Sequence, residues 1–155
     1  MEVTDLITPE GVIASLRVSG KKQALQELAK RAAEISGEDK RAILQILIER
    51  EKLGTTGIGQ GIAIPHGKIP GLDRLHGLFA RLDRPVEFDS IDGQPVDLIC
   101  LLLAPDDSGA EHLKALARVS RLLRNPETCK KLRGSETEDG LYAVLATEGG
   151  TSEAA

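Results

Sequence analysis

The residues best suited to nucleophilic chemistry lie between positions 54 and 68, in the run GTTGIGQGIAIPHGK. Its five glycines permit positive φ angles and a close approach of backbone to ligand, which predicts a polar loop with exposed N–H groups. The apolar residues 62–64 predict a very short buried strand. Pro65 should take the chain out of the sheet, because proline cannot donate a hydrogen bond. We therefore expect His66 to stand at a strand end, where a nucleophile would be well presented.

The spacing within this run excludes two common phosphate-binding motifs. The Gly-Lys pair at 67–68 is followed by Ile69 instead of serine or threonine, so the run is not a P-loop. Ile62 stands where a dinucleotide fingerprint that starts at Gly57 needs its third glycine. Glycine clusters mark turns more often than sites, and a single histidine is more often structural. Both interpretations of His66 therefore stay open at this point.

Composition and charge limit the classes of protein to which the chain can belong. Its 155 residues indicate one domain with a substantial core. The net charge of −4 comes from acidic and basic residues that are interspersed, which argues against binding to nucleic acid or to an anionic membrane. The N-terminus lacks a signal-peptide pattern, and no apolar run is long enough to cross a bilayer. We expect a soluble cytoplasmic protein with no membrane insertion.

The two cysteines do not indicate a site. Cys100 lies in an apolar run and should be inert core. Cys129 lies in the basic sequence TCKKLR, which could lower the pKa of its thiol, but an ordinary surface or half-buried thiol is the simpler interpretation. The spacing of the cysteines and histidines also lacks a zinc pattern.

Two helices should precede the glycine run. Helical periodicity predicts the first over residues 21–35, with Gly37 as its stop. The acidic residues 38–39 favour the start of a second helix, which delivers Arg50 to its far end, just before the glycine run. Arg50 could pair with a bound anion there, or it could only complement the carboxyl end of its own helix.

Three further strands are indicated. Residues 13–18 form one short candidate, and residues 75–82 form a second, which Arg84-Pro85 should end. The nearly continuous apolar run 96–104 is typical of a central strand that is covered on both faces. Between the last two, residues 86–95 predict an irregular or hairpin-like connection.

Helices should follow the central strand. Ser108 with Glu111 predicts a capping box, which would put His112 in the first turn of a helix. The Asn-Pro pair at 125–126 favours a new short helix, and a second Ser-x-x-Glu pattern at 135–138 predicts the start of the last one. Strands that alternate with helices predict an α/β layer fold. Ligands in such folds gather beyond strand ends, which is where His66 and His112 are expected.

Several stretches together carry a family resemblance. GTTGIGQGIAIPHGK, with REKLGTTGIG, RPVEFDSIDGQPVDLICLLLAP and EHLKALARVSRLLRN, resembles the IIA domains of the bacterial phosphoenolpyruvate-dependent phosphotransferase system, mannitol/fructose type, and most of all their nitrogen-regulatory branch. The resemblance implies a single α/β domain, with a mixed central sheet flanked by helices, over residues 1–146. Residues 147–155 are polar and small, and we expect them to form a disordered tail.

The resemblance also implies roles for individual residues. His66 matches the histidine that is phosphorylated in the family, His112 matches a second active-site histidine that supports the phosphoryl group, and Arg50 matches an arginine beside the site. As further support for the phosphate, with hydroxyl or backbone N–H groups, we expect Thr55, Thr56, Gly57 and Gly67. His76 matches no active-site position and is interpreted as structural.

The implied activity is that of a phosphoryl relay and regulator more than of a turnover enzyme. No metal or cofactor is implied, because the donor is another phosphohistidine protein, a small phosphocarrier of the HPr type in its nitrogen-branch form. Downstream, a nitrogen-regulatory IIA would bind regulatory targets, such as kinases or potassium-transport components, according to its phosphorylation state. The alternative is a fructose- or mannitol-type IIA component that passes the phosphoryl group to a IIB domain during sugar uptake.

One alternative from another class is a metal-dependent hydrolase. It would use His66, His112 and either Asp106 or Asp107 as ligands. The sequence spacing of these residues does not indicate such a ligand set.

Overall fold

The fold is a mixed β-sheet with helices on both faces, described for residues 1–150 in a computed structural model. The strands are β1 (Val12–Leu16), β2 (Gly57–Gly59), β3 (Ile62–Ala63), β4 (His66–Ile69), β5 (His76–Val86) and β6 (Val96–Pro105). The α-helices are α1 (Lys21–Ser36), α2 (Lys40–Lys52), α3 (Ala110–Leu123), α4 (Pro126–Arg133) and α5 (Glu138–Glu148). The expected α/β class, with a mixed sheet flanked by helices, is confirmed.

The sheet is built around β6. Its strand order is β1-β5-β6-β3-β2, and β4 also pairs with β6. β5 is antiparallel to β6, whereas β3 and β4 are both parallel to it. Ile62 is in register with Leu98, and His66 is in register with Leu102. β3 and β4 therefore follow one another along the same side of β6, and His66 lies directly beside the central strand.

Both faces of β6 are buried, as its apolar run predicts. Alternate residues enter the core on the side of α3, α4 and α5, namely Leu98, Cys100 and Leu102. The residues between them enter the core on the side of α1 and α2, namely Ile99, Leu101 and Leu103. Because side chains alternate across a strand, one apolar run supplies the centre of both cores.

The glycine run is not the open loop that its composition predicts. Its first part forms the antiparallel pair of β2 and β3, joined by a turn at Gly59, Gln60 and Gly61, all with positive φ. His66 also does not end a strand: the chain leaves the sheet only at Ile64-Pro65, and His66 then begins β4. The physical reason is the pairing with β6, which aligns two very short strands that could not be stable alone.

β5 is longer than predicted. It runs through Arg84-Pro85 and ends at Val86, which pairs with Val96 of β6. The ladder is irregular between Arg81 and Val86, so the proline lies where no regular backbone hydrogen bond is required of it. The prediction that Arg84-Pro85 ends this strand is wrong.

The helix ends show which local signals decide the chain path. Gly37, with a φ of 81°, ends α1 as predicted. Asp39 caps α2 by accepting a hydrogen bond from the Ala42 N–H. Asn125 caps α4 in the same way, with bonds from the two N–H groups of residues 127 and 128. These are short-range effects, which a sequence pattern can specify.

Both predicted capping boxes are wrong. α3 begins after Gly109, whose φ is 54°, and no side chain caps it. The Ser108 hydroxyl has no hydrogen-bond partner within residues 1–150. α5 is capped by Thr137, which accepts a bond from the Gly140 N–H, and not by Ser135. His112 nevertheless lies in the first turn of α3, as expected.

The predicted tail begins too early. α5 continues to Glu148, and the Val3 N–H donates to the Gly149 carbonyl at 3.1 Å. The boundary at residue 146 is therefore wrong for these positions, because the N-terminal segment holds the chain there. The rest of the predicted tail, residues 151–155, lies outside the described part of the chain.

Candidate functional site

His66 is oriented by the backbone on either side of it. The Leu102 N–H of β6 donates to the Pro65 carbonyl at 2.9 Å, which fixes the start of β4. The imidazole Nδ1 of His66 lies 2.9 Å from the Ile64 carbonyl oxygen. A carbonyl can only accept, so Nδ1 carries the hydrogen and Nε2 keeps an unprotonated lone pair.

Arg50 lies opposite that lone pair. Its Nε donates to His66 Nε2 at 3.3 Å, and its Nη1 donates to the Gly54 carbonyl at 2.9 Å. The last turn of α2 thus delivers a guanidinium to the Nε2 edge of the imidazole. This pairing makes Arg50 more than a complement to the helix terminus, which was its alternative interpretation.

His112 completes the cluster from the other side of the sheet. Its ring centroid is 5.7 Å from that of His66, and the two rings are almost perpendicular at 87°. It occupies the third position of α3 and is only 6% exposed. Its Nδ1 is buried without a hydrogen-bond partner in residues 1–150. A helix N-terminus attracts negative charge, so an anion between the two imidazoles would be favoured.

The surroundings keep both imidazoles in their neutral form. Burial is the main cause that lowers the pKa of His66, and Arg50 lowers it further, against opposing effects of the Ile64 carbonyl and of Glu51. Burial also lowers the pKa of His112, assisted by the charges of His66 and Lys68. Near neutral pH the site therefore offers an unprotonated Nε2 next to a permanent cation.

The predicted phosphate-supporting threonines are engaged in bonds within the loop. The Thr55 hydroxyl donates to the Phe88 carbonyl at 2.7 Å and accepts from the Gly57 N–H at 3.0 Å. The Thr56 hydroxyl donates to the Glu51 carboxylate. These contacts give the threonines and the Gly57 N–H a structural role in the loop, and their contact with phosphate stays a prediction.

The two predicted glycines are required by close packing. A Cβ on Gly67 would lie 2.6 Å from Cγ2 of Ile46 in α2, and one on Gly57 would lie 2.5 Å from the Ser90 hydroxyl oxygen. Both distances are shorter than a van der Waals contact. Gly67 thus lets α2 approach β4, which brings Arg50 to the site. A direct role of either glycine toward phosphate also stays a prediction.

Sequence reasoning missed Glu51 and Lys68. Glu51 follows Arg50 in α2, and its charge raises the pKa of His66. Lys68 is exposed in β4, two residues beyond His66 and therefore on the same face of the strand. This alternation of side chains along a strand could have identified Lys68 from the sequence. No comparable local signal exists for Glu51.

The remaining histidine and the cysteines lie outside the cluster. His76 is buried, and its Nε2 lies 3.0 Å from the Asp73 carboxylate. Burial raises the pKa of Cys100 to about 12, as expected for inert core. Burial also raises the pKa of Cys129, and this effect outweighs the nearby Arg133. Neither thiol provides a nucleophilic thiolate.

Two features are absent from the described part of the chain. Within residues 1–150, no three His, Cys, Asp or Glu side chains form a group that could hold a metal ion, so the hydrolase hypothesis lacks a ligand set. In the same part of the chain, no helix has the length and apolar character needed to span a bilayer.

Comparison with known proteins assigns this chain to a family. Residues 5–148 match the family described as "Phosphoenolpyruvate-dependent sugar phosphotransferase system, EIIA 2", and the chain belongs to it. Within the family it is similar to proteins named "Nitrogen regulatory protein". The one from Bradyrhizobium diazoefficiens is 59% identical over 146 residues, which cover 94% of this chain and 95% of that protein.

Two more relatives extend this similarity. The nitrogen regulatory protein of Escherichia coli K12 is 35% identical over 156 residues, covering 100% of this chain and 96% of its own length. The crystal structure of nitrogen regulatory protein IIA-Ntr from Neisseria meningitidis has a TM-score of 0.87 at 31% identity, covering 92% of this chain and 98% of that one. The chain is therefore a phosphotransferase-system IIA component close to the nitrogen regulatory proteins.

Proposed function

We propose that the chain is a phosphohistidine phosphocarrier of the nitrogen-regulatory phosphotransferase system, with His66 as the acceptor. One observation carries the proposal. His66 Nδ1 donates to the Ile64 carbonyl, so Nε2 holds its lone pair while it faces the Arg50 guanidinium. A neutral nucleophile next to a cation is what attack on an anionic phosphoryl group requires.

The transfer step needs no base. The N–P bond of the donor's phosphohistidine breaks and its electron pair returns to the donor's imidazole. At the same time the Nε2 lone pair of His66 forms the new N–P bond. The Nδ1 hydrogen stays on the ring, where it is donated to the Ile64 carbonyl, so no proton has to leave the ring in this step. Transfer between two imidazoles is nearly balanced in energy, and the protein contributes mainly position and charge.

Arg50 and His112 supply the charge stabilisation. The Arg50 Nε that donates to His66 Nε2 can transfer its hydrogen bond to a phosphoryl oxygen when the new bond forms. His112 stands at right angles to His66 at the N-terminus of α3. Its unpartnered Nδ1 and the helix terminus both suit an anion at this position.

The proposed donor is a small phosphocarrier of the HPr type from the nitrogen branch. The 59% identity to a nitrogen regulatory protein favours that branch over sugar uptake. Once phosphorylated, His66 adds negative charge beside exposed surface, and regulatory partners would read that change. Partners such as kinases or potassium-transport components belong to this proposal.

The test is phosphoryl transfer from phosphoenolpyruvate through enzyme I and a purified carrier, followed by intact mass. The wild-type chain should gain one acid-labile phosphoryl group. His66→Ala should gain none, and His76→Gln is the matched histidine control, which should gain the same group as the wild type. The nitrogen-branch carrier should act faster than the sugar-branch carrier.

Three outcomes separate the hypotheses. No modification of the wild type with either carrier overturns the relay and favours a protein that acts by binding alone. Faster modification by the sugar-branch carrier, with onward transfer to a IIB domain, favours the sugar-uptake alternative. Modification of His66→Ala would show that another residue is the acceptor.

A further inference from the structure

Glu51 is a buried carboxylate that joins three parts of the molecule next to the site. Its side chain is only 6% exposed. One carboxylate oxygen accepts from the Lys21 ammonium of α1 at 2.9 Å and from the Thr56 N–H at 3.1 Å. The other accepts from the Thr56 hydroxyl. Burying a carboxylate is costly, and the three contacts only compensate for that cost. The presence of a carboxylate at this buried position therefore requires an explanation.

The bonds of Glu51 continue to the nucleophile. Thr56, which Glu51 holds at two atoms, accepts the Ile64 N–H on its own carbonyl at 3.0 Å. Ile64 in turn presents its carbonyl to His66 Nδ1 at 2.9 Å. Three consecutive links therefore run from the carboxylate to the ring nitrogen that is turned away from Arg50.

We propose that Glu51 is a positioning residue for His66, because it fixes the Thr56–Ile64 backbone that sets the imidazole tautomer. The hydrogen bond made by one ring nitrogen decides which of the two carries the hydrogen. If the Ile64 carbonyl moves, only the longer Arg50 contact at 3.3 Å still favours the Nδ1–H tautomer. A fraction of His66 can then carry its hydrogen on Nε2, and in that fraction the lone pair that attacks is lost. Lys21 balances the charge of the carboxylate and anchors it to α1.

The geometry explains why a carboxylate occupies this position. A carboxylate only accepts, so the directions of all three hydrogen bonds that it receives are fixed. The two residues that precede Glu51 have other contacts: Arg50 touches His66 directly, whereas the exposed Glu49 has no described contact with the loop. Glu51 therefore acts on His66 through Thr56 and Ile64, and not by contact with the phosphoryl group.

The experiment compares two matched pairs of variants in the full chain. Glu51→Gln is set against Glu49→Gln, the same change two residues away on an exposed face. Thr56→Val is set against Thr56→Ser, which keeps the hydroxyl. The tautomer of His66 is read from its imidazole nitrogen shifts by ¹⁵N NMR, and phosphoryl acceptance is timed by intact mass.

We expect wild type, Glu49→Gln and Thr56→Ser to hold His66 in the Nδ1–H tautomer. Glu51→Gln and Thr56→Val should show a mixture of tautomers and accept the phosphoryl group about 10- to 100-fold more slowly, by analogy with the loss seen when the groups that orient a metal-binding histidine are removed. Wild-type tautomer and rate in both Glu51→Gln and Thr56→Val would overturn the proposal. A slower rate with an unchanged tautomer would also overturn it, because loosened structure alone would produce that result.

The test remains decisive if one variant does not fold or if the wild type accepts no phosphate. If Glu51→Gln does not fold, the Thr56 pair alone decides, since valine keeps the shape of threonine. The rate measurement rests on the proposed function, but the tautomer measurement does not. A wild type that accepts no phosphate would overturn the relay, while the NMR comparison would still test the positioning role.

Discussion

Two histidines flank β6 at neighbouring positions and differ in what each ring nitrogen faces. His66 of β4 is in register with Leu102, and His76 of β5 is in register with Leu103, on the opposite side of the strand. Nε2 of His66 meets the Arg50 guanidinium, whereas Nε2 of His76 meets the Asp73 carboxylate. A guanidinium leaves the nitrogen a lone pair, and a carboxylate requires a hydrogen on it. The group that faces Nε2, more than the position of the ring in the sheet, therefore distinguishes the candidate nucleophile His66 from the structural His76.

The largest effect, after loss of His66 itself, should follow removal of the Arg50 charge. Arg50→Gln should slow phosphoryl acceptance about 100-fold, the usual cost of removing one donor from a charged transition state. The matched control is Arg41→Gln, at an exposed position on the same helix, which should transfer at the wild-type rate. Stopped-flow or quench measurements of single-turnover transfer would show the difference. Equal rates in the two variants would remove Arg50 from the site.

Loss of His112 should slow phosphoryl exchange without abolishing acceptance. In His112→Ala, His66 keeps its lone pair and Arg50, so the protein should still become phosphorylated. Transfer to and from the carrier should both slow about tenfold, because the forward and reverse steps share one transition state, from which a charge-stabilising group is now missing. The forward and reverse exchange rates can be followed by intact mass. Wild-type exchange rates in both directions would contradict a role of His112 in charge stabilisation.

Overpacking at Gly67 should displace α2 and so disturb the site. Gly67→Ala places a methyl group 2.6 Å from Ile46 Cγ2, and such overpacking typically costs about 1–3 kcal/mol of the free energy of unfolding. Because α2 carries Arg50, transfer should also slow. Gly134→Ala is the control, since the new Cβ would make only ordinary contacts of 3.5 Å or more. Chemical denaturation and transfer rates test both parts, and an unaffected Gly67→Ala protein would contradict the close approach.

These comparisons also show how much of the site a single sequence can predict. His66, Arg50 and His112 were all expected near one another, because the family resemblance of several long stretches pointed to them. The wider role of Glu51 was not predictable by such means. A glutamate at the end of a polar helix resembles a solvated charge, and its burial depends on Lys21, which comes from another helix.

The strands also differ in how well the sequence predicts them. β6 was predictable because a long apolar run carries its own signal. β2 and β3 were not fully predictable, since they have three and two residues and are held by pairing with distant chain. The capping box predicted at Ser108 is wrong because the pattern does not show the backbone conformation of the next residue. The left-handed backbone of Gly109 turns the chain into α3 without the serine.

The two neutral imidazoles should also make stability depend on pH. The pKa values of His66 and His112 are lowered below 6.5 in the folded chain, so the unfolded chain binds more protons as the pH falls through that value. The contribution to stability is present above about pH 6.5 and is lost as the pH falls through the folded-state pKa values. The unfolding temperature should therefore decrease from pH 7 toward pH 5, and it should decrease less in the double variant His66→Gln/His112→Gln. An identical decrease in both proteins would contradict the lowered pKa values.

The smallest effect should follow a substitution of Asp73, the partner of His76. Asp73 is exposed, and Asp73→Asn keeps an oxygen that can accept the His76 Nε2 hydrogen while it removes the charge. Transfer through His66 should be unchanged, because the site has no described bond to this pair and β6 lies between them. The informative comparison is with Arg50→Gln, which likewise replaces a charged partner of a histidine Nε2 by a neutral amide. If the rate responds to the partner of His66 and not to that of His76, the partner identifies the reactive imidazole. If Asp73→Asn slowed transfer as much as Arg50→Gln, the two histidines would be coupled through β6, and the distinction between them would fail.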